Sequence, residues 1–208
     1  TRIVKARASL NRVPVQFVAS GQSFSVILTT DHLLYSVGIN EDGQLGVETA
    51  DTFSASPVLT SFSRLNLTVA NIAVGSSFVV VSTKAGELWG WGSNQQGQLG
   101  LGDAGSDPIT MPLRISFDSK VFYVSCGVSH CLSLTEDGHI YSWGGNGKGQ
   151  LGDGTRDSQK SKYLPIRVMS IFGKKRAAAL FAGVAHSLAT TEDGILYGWG
   201  DDSKCQLG

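Results

Sequence analysis

Histidine and cysteine are the residue types in this chain that would form a structural zinc site. Protein zinc sites use closely spaced sets of these two residues. The candidate ligands are His32, His130, His139, His186, Cys126, Cys131 and Cys205. The three cysteines lack the close spacing of metal-ligand pairs. Cys126 and Cys131 flank one turn, and we expect both to be small buried apolar residues. We therefore expect no metal site, and we expect His32 and His139 to lie in solvated turns.

Two other motif types could support catalysis or phosphate binding, and both are incomplete. The Gly-x-Ser-x-Gly turn that exposes a nucleophilic serine does not occur. Residues 144–147 (Gly-Gly-Asn-Gly) are glycine-rich, but they lack the Gly-Lys-Ser/Thr and the following helix of a phosphate-binding loop. The Asp-Gly pairs at 137–138 and 193–194 are typical of hairpin turns. The sequence thus predicts no catalytic residue and no cofactor.

The glycines instead mark a segment that occurs four times. The copies occupy residues 21–46, 75–100, 127–152 and 183–208, and each ends in Gln-Leu-Gly. Repeats at roughly 50-residue intervals are typical of propellers and solenoids. One repeat alone cannot bury its apolar faces, so neighbouring repeats must stack. We therefore predict a single domain over residues 1–208.

The third copy shows what one repeat forms. Residues 130–135 (HCLSLT) and 139–144 read as short strands on either side of an Asp-Gly turn, and 121–126 is an apolar run that ends before a glycine. Residues 163–169 add a fourth strand, and Pro165 favours an edge position for it. Four short strands per repeat describe a propeller blade. The hairpin turns are predicted at 30–32, 84–86, 136–138 and 192–194.

The recurring residues have mechanical roles. The leucine of Gln-Leu-Gly is expected to plug between adjacent blades, and the glycines to let backbones approach closely. The Gln side chain can satisfy backbone groups in a turn. Because the histidines recur at one repeat position, packing or turn hydrogen bonding is favoured over metal binding. The structural repeat residues are Gly75, Leu99, Gly127, His130, Trp143, Leu151, His186 and Trp199.

These motifs resemble the regulator of chromosome condensation repeat family. The resemblance rests on Cys126-Gly127 with His130, on residues 135–138 and 141–146, and on the closing 149–152, and it extends over nearly the whole chain. It implies an all-β fold, a β-propeller of the regulator of chromosome condensation type, with about four of seven blades present. The departures from the family pattern are Phe24 and Phe78 in place of histidine, Val37 in place of tryptophan, Asp31-His32 and Ala85-Gly86 in the turns, and Cys205 in place of glycine.

The resemblance implies a function without covalent chemistry. The leading interpretation is an intracellular protein–protein interaction propeller, a scaffold or adaptor. One alternative is a guanine-nucleotide exchange factor for a Ran-like small GTPase, and another is the accessory propeller of a larger ubiquitin ligase. A light-sensing role through tryptophans, known in one relative, would need Gly-Trp-Arg-His stretches that this sequence lacks.

Charge is balanced overall but uneven along the chain. The net charge is zero, which does not favour chromatin, nucleic acid or membrane partners. Apolar runs are too short to cross a bilayer, and free cysteines favour a reducing, intracellular setting. The first copy is acidic, whereas the longest spacer is basic and is a candidate surface for an acidic partner. Its candidate partner-binding residues are Arg156, Lys160, Lys162, Lys174, Lys175 and Arg176.

The two ends of the array are expected to be open. Residues 1–14 supply at most one extra strand, and the fourth copy ends at Gly208. Neither terminal copy resembles a polar capping repeat. We expect the remaining blades or another chain to complete the ring.

Overall fold

The computed structural model describes residues 13–105, 107–154, 161–168 and 175–208. Its strands form antiparallel sheets, one for each sequence repeat. The first sheet contains β1 (Val15–Ser20), β2 (Phe24–Thr29), β3 (Leu34–Ile39) and β4 (Phe53–Leu59). The second contains β5 (Val69–Val74), β6 (Phe78–Thr83), β7 (Leu88–Gly92) and β8 (Ile109–Ile115).

The remaining two sheets repeat this pattern. The third contains β9 (Val121–Cys126), β10 (His130–Thr135), β11 (Ile140–Gly144) and β12 (Lys162–Arg167). The fourth contains β13 (Ala177–Ala182), β14 (His186–Thr191) and β15 (Leu196–Gly200). We call the four sheets blades 1 to 4. In the described residues, blade 4 therefore has three strands, one fewer than the predicted four.

Each blade is a meander in which strands pair in chain order. The hairpin turns between the second and third strands fall at all four predicted positions. In blade 3, Thr135 Oγ1 donates to the Asp137 carboxylate and accepts from the backbone N–H of His139, so the side chain closes the turn. β12 contains Pro165 and lies at the edge of its sheet, as predicted, because proline has no N–H for a further ladder. The strand begins and ends one or two residues before the predicted 163–169.

The core lies between the blades. Strand β6 is buried along its whole length, since its two faces pack against different neighbouring blades. Three apolar clusters follow one another, one at each boundary between consecutive blades. Leu99 is completely buried in the second cluster, beside Val80 of blade 2 and Val124 of blade 3. Each repeat therefore depends on the next for its core.

Candidate functional site

In the described residues, the Gln-Leu-Gly segment of each of the first three copies forms the joint with the following blade. A tryptophan of the next blade donates its indole N–H to the backbone carbonyl oxygen of the Gln. The three bonds join Trp91 to Gln44 at 3.1 Å, Trp143 to Gln98 at 2.9 Å and Trp199 to Gln150 at 2.8 Å. This shared bond ties the end of one copy to the third strand of the next blade.

The glycine that closes each of the first three copies lies against that tryptophan. A Cβ on Gly46 would lie 2.6 Å from Trp91 Nε1, and one on Gly152 would lie 2.9 Å from Trp199 Nε1. Both glycines also have positive φ angles, of 64° and 66°. Larger residues are therefore disfavoured both by the backbone conformation and by the neighbouring ring.

The Gln side chains act within their own turns, as the sequence predicted. Each Oε1 accepts a hydrogen bond from the backbone N–H two residues earlier. The pairs are Gln44 with Asp42, Gln98 with Gln96, Gln150 with Lys148 and Gln206 with Lys204, at 2.7 to 2.8 Å. This bond holds the turn whose carbonyl oxygen receives the indole.

The leading glycines bring consecutive blades into backbone contact. The N–H of Gln22 donates to the carbonyl of Ser76 at 3.1 Å, and the same contact recurs between Val128 and Val184 at 3.2 Å. A Cβ on Gly127 would lie 2.2 Å from the carbonyl oxygen of Gly183. Gly75, at the equivalent position of blade 2, faces the Phe78 ring at a similar distance.

His130 lies inside the boundary between blades 3 and 4. Its Nε2 is 3.1 Å from Ser187 Oγ, and that hydroxyl donates to the carbonyl of Gln150 at 2.8 Å. Burial, and secondarily the nearby His186 imidazole, lower the pKa of His130 to about 4. A buried neutral imidazole bonded to a serine holds the boundary together. His186 takes the same position in blade 4 and is half-buried there.

No metal cluster emerges from these residues. In the parts of the chain that the structure describes, no group of three or more His, Cys, Asp or Glu side chains could hold a metal ion. Cys131 is buried and Cys126 is half-buried, whereas Cys205 is exposed. His139 lies directly after the predicted turn at 136–138, and its Nδ1 is 2.7 Å from the Asp137 carboxylate.

The basic residues of the longest spacer are described only in part. Arg156, Lys160 and Lys174 lie outside the described residues. Lys162 approaches the Asp153 carboxylate at 3.4 Å, and Lys175 approaches that of Asp193 at 2.6 Å. Arg176 donates to the Glu136 carbonyl at 2.7 Å and lies 3.5 Å from the Glu192 carboxylate. These three positive charges therefore already have oxygen partners on the blades.

A more distinctive surface, missed by the sequence reasoning, centres on Phe122. This residue is 64% exposed although blade 3 has a neighbour on each side. The first strands of blades 1, 2 and 4 carry Gln16, Ala70 and Ala178 at the same position. Only a comparison of the copies, which shows one phenylalanine among small and polar residues, could have identified it.

Phe122 borders an open cleft of about 370 Å³ between blades 2 and 3. The cleft lies beside the hairpin turn of blade 2, and Lys84 and Glu136 add one charge of each sign to its rim. Asn71, in its wall, accepts a hydrogen bond from the backbone N–H of Val124 at 2.9 Å. The cleft is thus lined by both apolar and polar side chains, and its two charged residues have opposite signs. No helix in the described ranges is long and apolar enough to span a membrane.

Comparison with known proteins places these features in a family. The chain is 35% identical over 189 residues to the Ultraviolet-B receptor UVR8 of Arabidopsis thaliana, which covers 89% of this chain and 41% of the receptor. It is 36% identical over 191 residues to the probable E3 ubiquitin-protein ligase HERC6 of Homo sapiens, covering 91% of this chain and 18% of the ligase.

A solved structure shows the same fold. Prp20p from Saccharomyces cerevisiae superposes with a TM-score of 0.77 at 24% identity, over 91% of this chain and 46% of Prp20p. The chain spans less than half the length of each of these three proteins. A family model described as the RCC1-like domain matches residues 2–208. With its four repeats, its tryptophan joints and this match, the chain belongs to the RCC1-like domain family.

Proposed function

We propose that this chain acts as a protein-interaction propeller inside the cell, without covalent chemistry, and that the Phe122 cleft is its main contact surface. The exposed Phe122 side chain is the observation that supports this most directly. Aromatic residues are enriched among the side chains that dominate protein–protein binding energy. An exposed aromatic group on a rigid strand loses little conformational freedom on binding.

The composition of the cleft favours a protein over a nucleic acid. Nucleic-acid sites carry clustered positive charge, whereas Lys84 and Glu136 give this rim one charge of each sign. The chain as a whole has no net charge. A partner that inserts an apolar side chain beside Phe122 and places polar groups around it would match this surface.

Two narrower functions remain alternatives within this proposal. Prp20p is described with its binding properties to Gsp1p and histones, which supports nucleotide exchange on a Ran-like small GTPase. HERC6 is named a probable ubiquitin-protein ligase, which supports an accessory role beside a catalytic domain outside these residues. In both cases the propeller would act by binding a protein.

Substituting Phe122 tests the proposal. Affinity capture with the wild-type chain, with Phe122→Glu and with Met111→Glu would compare two exposed apolar residues on internal blades. Met111 lies on the edge strand β8, away from the cleft. Partners retained by wild type and by Met111→Glu but lost from Phe122→Glu support the proposal. Partners lost equally from both variants, or from neither, contradict it.

A nucleotide-release assay separates the alternatives. Ran-like GTPases loaded with a fluorescent guanine nucleotide would be mixed with the wild-type chain and with Phe122→Glu. Faster release that depends on Phe122 assigns exchange activity to the cleft. Binding of a GTPase without faster release favours a scaffold.

A further inference from the structure

Two repeat positions face each other across every boundary between blades. The first is the third residue after the leading glycine, and the second is the fourth residue after the leading glycine of the next blade. Phe24 and Val79 belong to the same apolar cluster at the first boundary. Phe78 and Cys131 do so at the second. At the third boundary the pair is instead His130 and Ser187, joined by a hydrogen bond.

The residue types in these pairs are therefore matched. Phenylalanine faces valine or cysteine, and histidine faces a hydroxyl. All six side chains except that of Phe24 are completely buried, and Phe24 is nearly so. Because a buried polar group without a partner is costly, a mismatch at this position would destabilise the boundary.

The hydrogen bonds around His130 show which ring nitrogen donates and therefore what kind of partner the ring needs. Ser187 Oγ already donates to the carbonyl of Gln150, so it must accept from His130 Nε2–H. Among the described residues, His130 Nδ1 has no hydrogen-bond partner, which is consistent with a neutral ring that carries its single proton on Nε2. The imidazole therefore needs an acceptor on the next blade, and an aliphatic side chain cannot supply one.

Two faces of the array are not covered by a neighbouring blade in the described residues. One is on blade 4 and carries His186, and the other is on blade 1 and carries Ser25. Leu196 of blade 4 is 63% exposed, whereas its counterpart Leu88 is completely buried by the next blade. On the opposite side of the array, Val18 of blade 1 is 60% exposed, whereas its counterpart Leu180 is completely buried. His186 belongs to the open face of blade 4. The N–H of Val184 also belongs to this face, since its counterparts in blades 1 to 3 donate to the following blade.

We propose that His–hydroxyl matching selects which blade can follow which, and that the open face of blade 4 binds a further repeat with two features. One is a hydroxyl residue at the fourth position after its leading glycine, to accept from His186. The other is a tryptophan, to donate to the Gln206 carbonyl as Trp199 does to Gln150. This inference stands apart from the Phe122 cleft and does not depend on it.

The tryptophan requirement distinguishes a further repeat from a second copy of the chain. Blade 1 of a second copy would offer the Ser25 hydroxyl to His186. It would offer Val37 where the other blades carry tryptophan, so the Gln206 carbonyl would lack its indole donor. A repeat with both features, like blade 4 itself, fits the face better.

The matching is tested first inside the chain. Thermal unfolding would be measured for Ser187→Val, His130→Phe and the double variant. Ser187→Val leaves the His130 N–H without a hydrogen-bond acceptor and should lower the unfolding midpoint by several degrees. The double variant restores the pair type of the first boundary and should recover at least half of that loss. The proposal would be overturned if the double variant lost as much stability as the two single variants together. If Ser187→Val does not fold, Ser187→Thr, which keeps the hydroxyl, should fold, and folding of the double variant becomes the readout.

The open face is tested by adding a repeat. A second copy of residues 153–208, which carries both Ser187 and Trp199, would be appended after Gly208. The appended copy should raise the unfolding midpoint. Ser187→Val in that copy should remove the gain, and His186→Phe in the original blade 4 should restore it. A gain that is the same with serine and with valine would overturn the proposal. So would self-association of the unextended chain in sedimentation that Ser25→Val abolishes, because the face would then bind a second copy.

Discussion

The indole N–H of Trp143 donates to the backbone carbonyl of Gln98 over 2.9 Å, and the two residues belong to different blades. The bond joins the end of one sequence repeat to the third strand of the next. The motif therefore encodes the boundary between blades as much as the blade itself. Blade 1 has Val37 at the tryptophan position, and the described residues include no blade before it.

Truncating the leucine at this joint should destabilise the domain. Leu99→Ala and Leu151→Ala should each lower the free energy of unfolding by about 2–5 kcal/mol, the range for a buried leucine in a core that cannot collapse. Both residues are completely buried between two blades. Leu207→Ala is the control, because Leu207 holds the same position at the open face and is only half-buried. Chemical denaturation measures all three, and equal losses would contradict the interblade role.

Adding a methyl group at the closing glycine should separate ring contact from backbone strain. Gly46→Ala places its Cβ 2.6 Å from Trp91 Nε1 at a φ of 64°. Gly208→Ala also has a positive φ, of 97°, but its Cβ meets nothing within 4 Å. Gly46→Ala should therefore lose clearly more stability and change the near-ultraviolet circular dichroism of the tryptophans. Identical behaviour of the two variants would show that the ring contact is unimportant.

The repeat pattern made the strands and turns predictable because each copy carries the same local signals. The alternating apolar residues and the Asp-Gly turn fixed β10, the hairpin turn and β11 to within a residue. The connection between blades 1 and 2 was less predictable. It contains a 3₁₀ helix, Ser61–Leu65, whose Phe62 is buried and stacks on Trp91 with ring centroids 6.0 Å apart. In the connection between blades 2 and 3, Phe117 packs in a similar way on Trp143, with ring centroids 6.5 Å apart. Phe62 and Phe117 stand at different distances before their leading glycines, so an in-register comparison of the repeats gave no signal for these contacts.

Features that depend on two blades could be predicted only in part. The sequence indicated that His130 serves packing or hydrogen bonding, but its acceptor lies 57 positions away in the chain. Spacing within one repeat does not identify such a partner. The sequence predicted the basic spacer as a candidate surface for an acidic partner but gave no sign that Lys175 and Arg176 lie beside Asp193 and Glu192. The folding of a later hairpin turn against the spacer produces these pairs.

The buried His130 should make stability depend on pH. Its pKa is about 4 in the folded chain, against 6.5 as the ordinary value. Between these values the unfolded chain binds a proton that the folded chain does not, so stability falls as the pH drops from 6.5 towards 4. A shift of this size corresponds to about 3 kcal/mol. Denaturation at a series of pH values measures the slope.

Two variants identify the source of that slope. His130→Phe should flatten it between pH 6.5 and 4, whereas His32→Asn should leave it unchanged, since His32 is exposed in a turn. The carboxyl groups of Asp137 and Asp193 have lowered pKa values, from 3.8, so they act below this window. A slope that survives in His130→Phe would contradict the assignment.

Charge reversal in the basic spacer should affect a partner more than the fold. The combined substitutions Lys174→Glu, Lys175→Glu and Arg176→Glu should weaken binding of an acidic protein, and the binding of the wild-type chain should fall as salt rises. The fold should tolerate the change, because exposed ion pairs contribute little to stability. Lys175→Glu alone, which faces Asp193, and Arg176→Glu alone, which also loses the Glu136 carbonyl, separate the contributions. Affinity that depends on neither salt nor these residues would exclude the spacer from the interface.

The open face of blade 4 should tolerate a polar residue that the interior of the array does not. Leu196 and Leu88 occupy the same repeat position, but Leu196 is 63% exposed and Leu88 is completely buried. Leu88→Gln buries an amide in an apolar cluster and removes core packing, so it should lower the free energy of unfolding by about 3–5 kcal/mol. Leu196→Gln should change the stability of the 208-residue chain by less than about 0.5 kcal/mol. It should also reduce the binding of an apolar dye, because it removes exposed apolar surface. Denaturation and dye fluorescence test both variants side by side. If Leu196→Gln were as destabilising as Leu88→Gln, blade 4 would have to be covered in solution, and the array would not be open there.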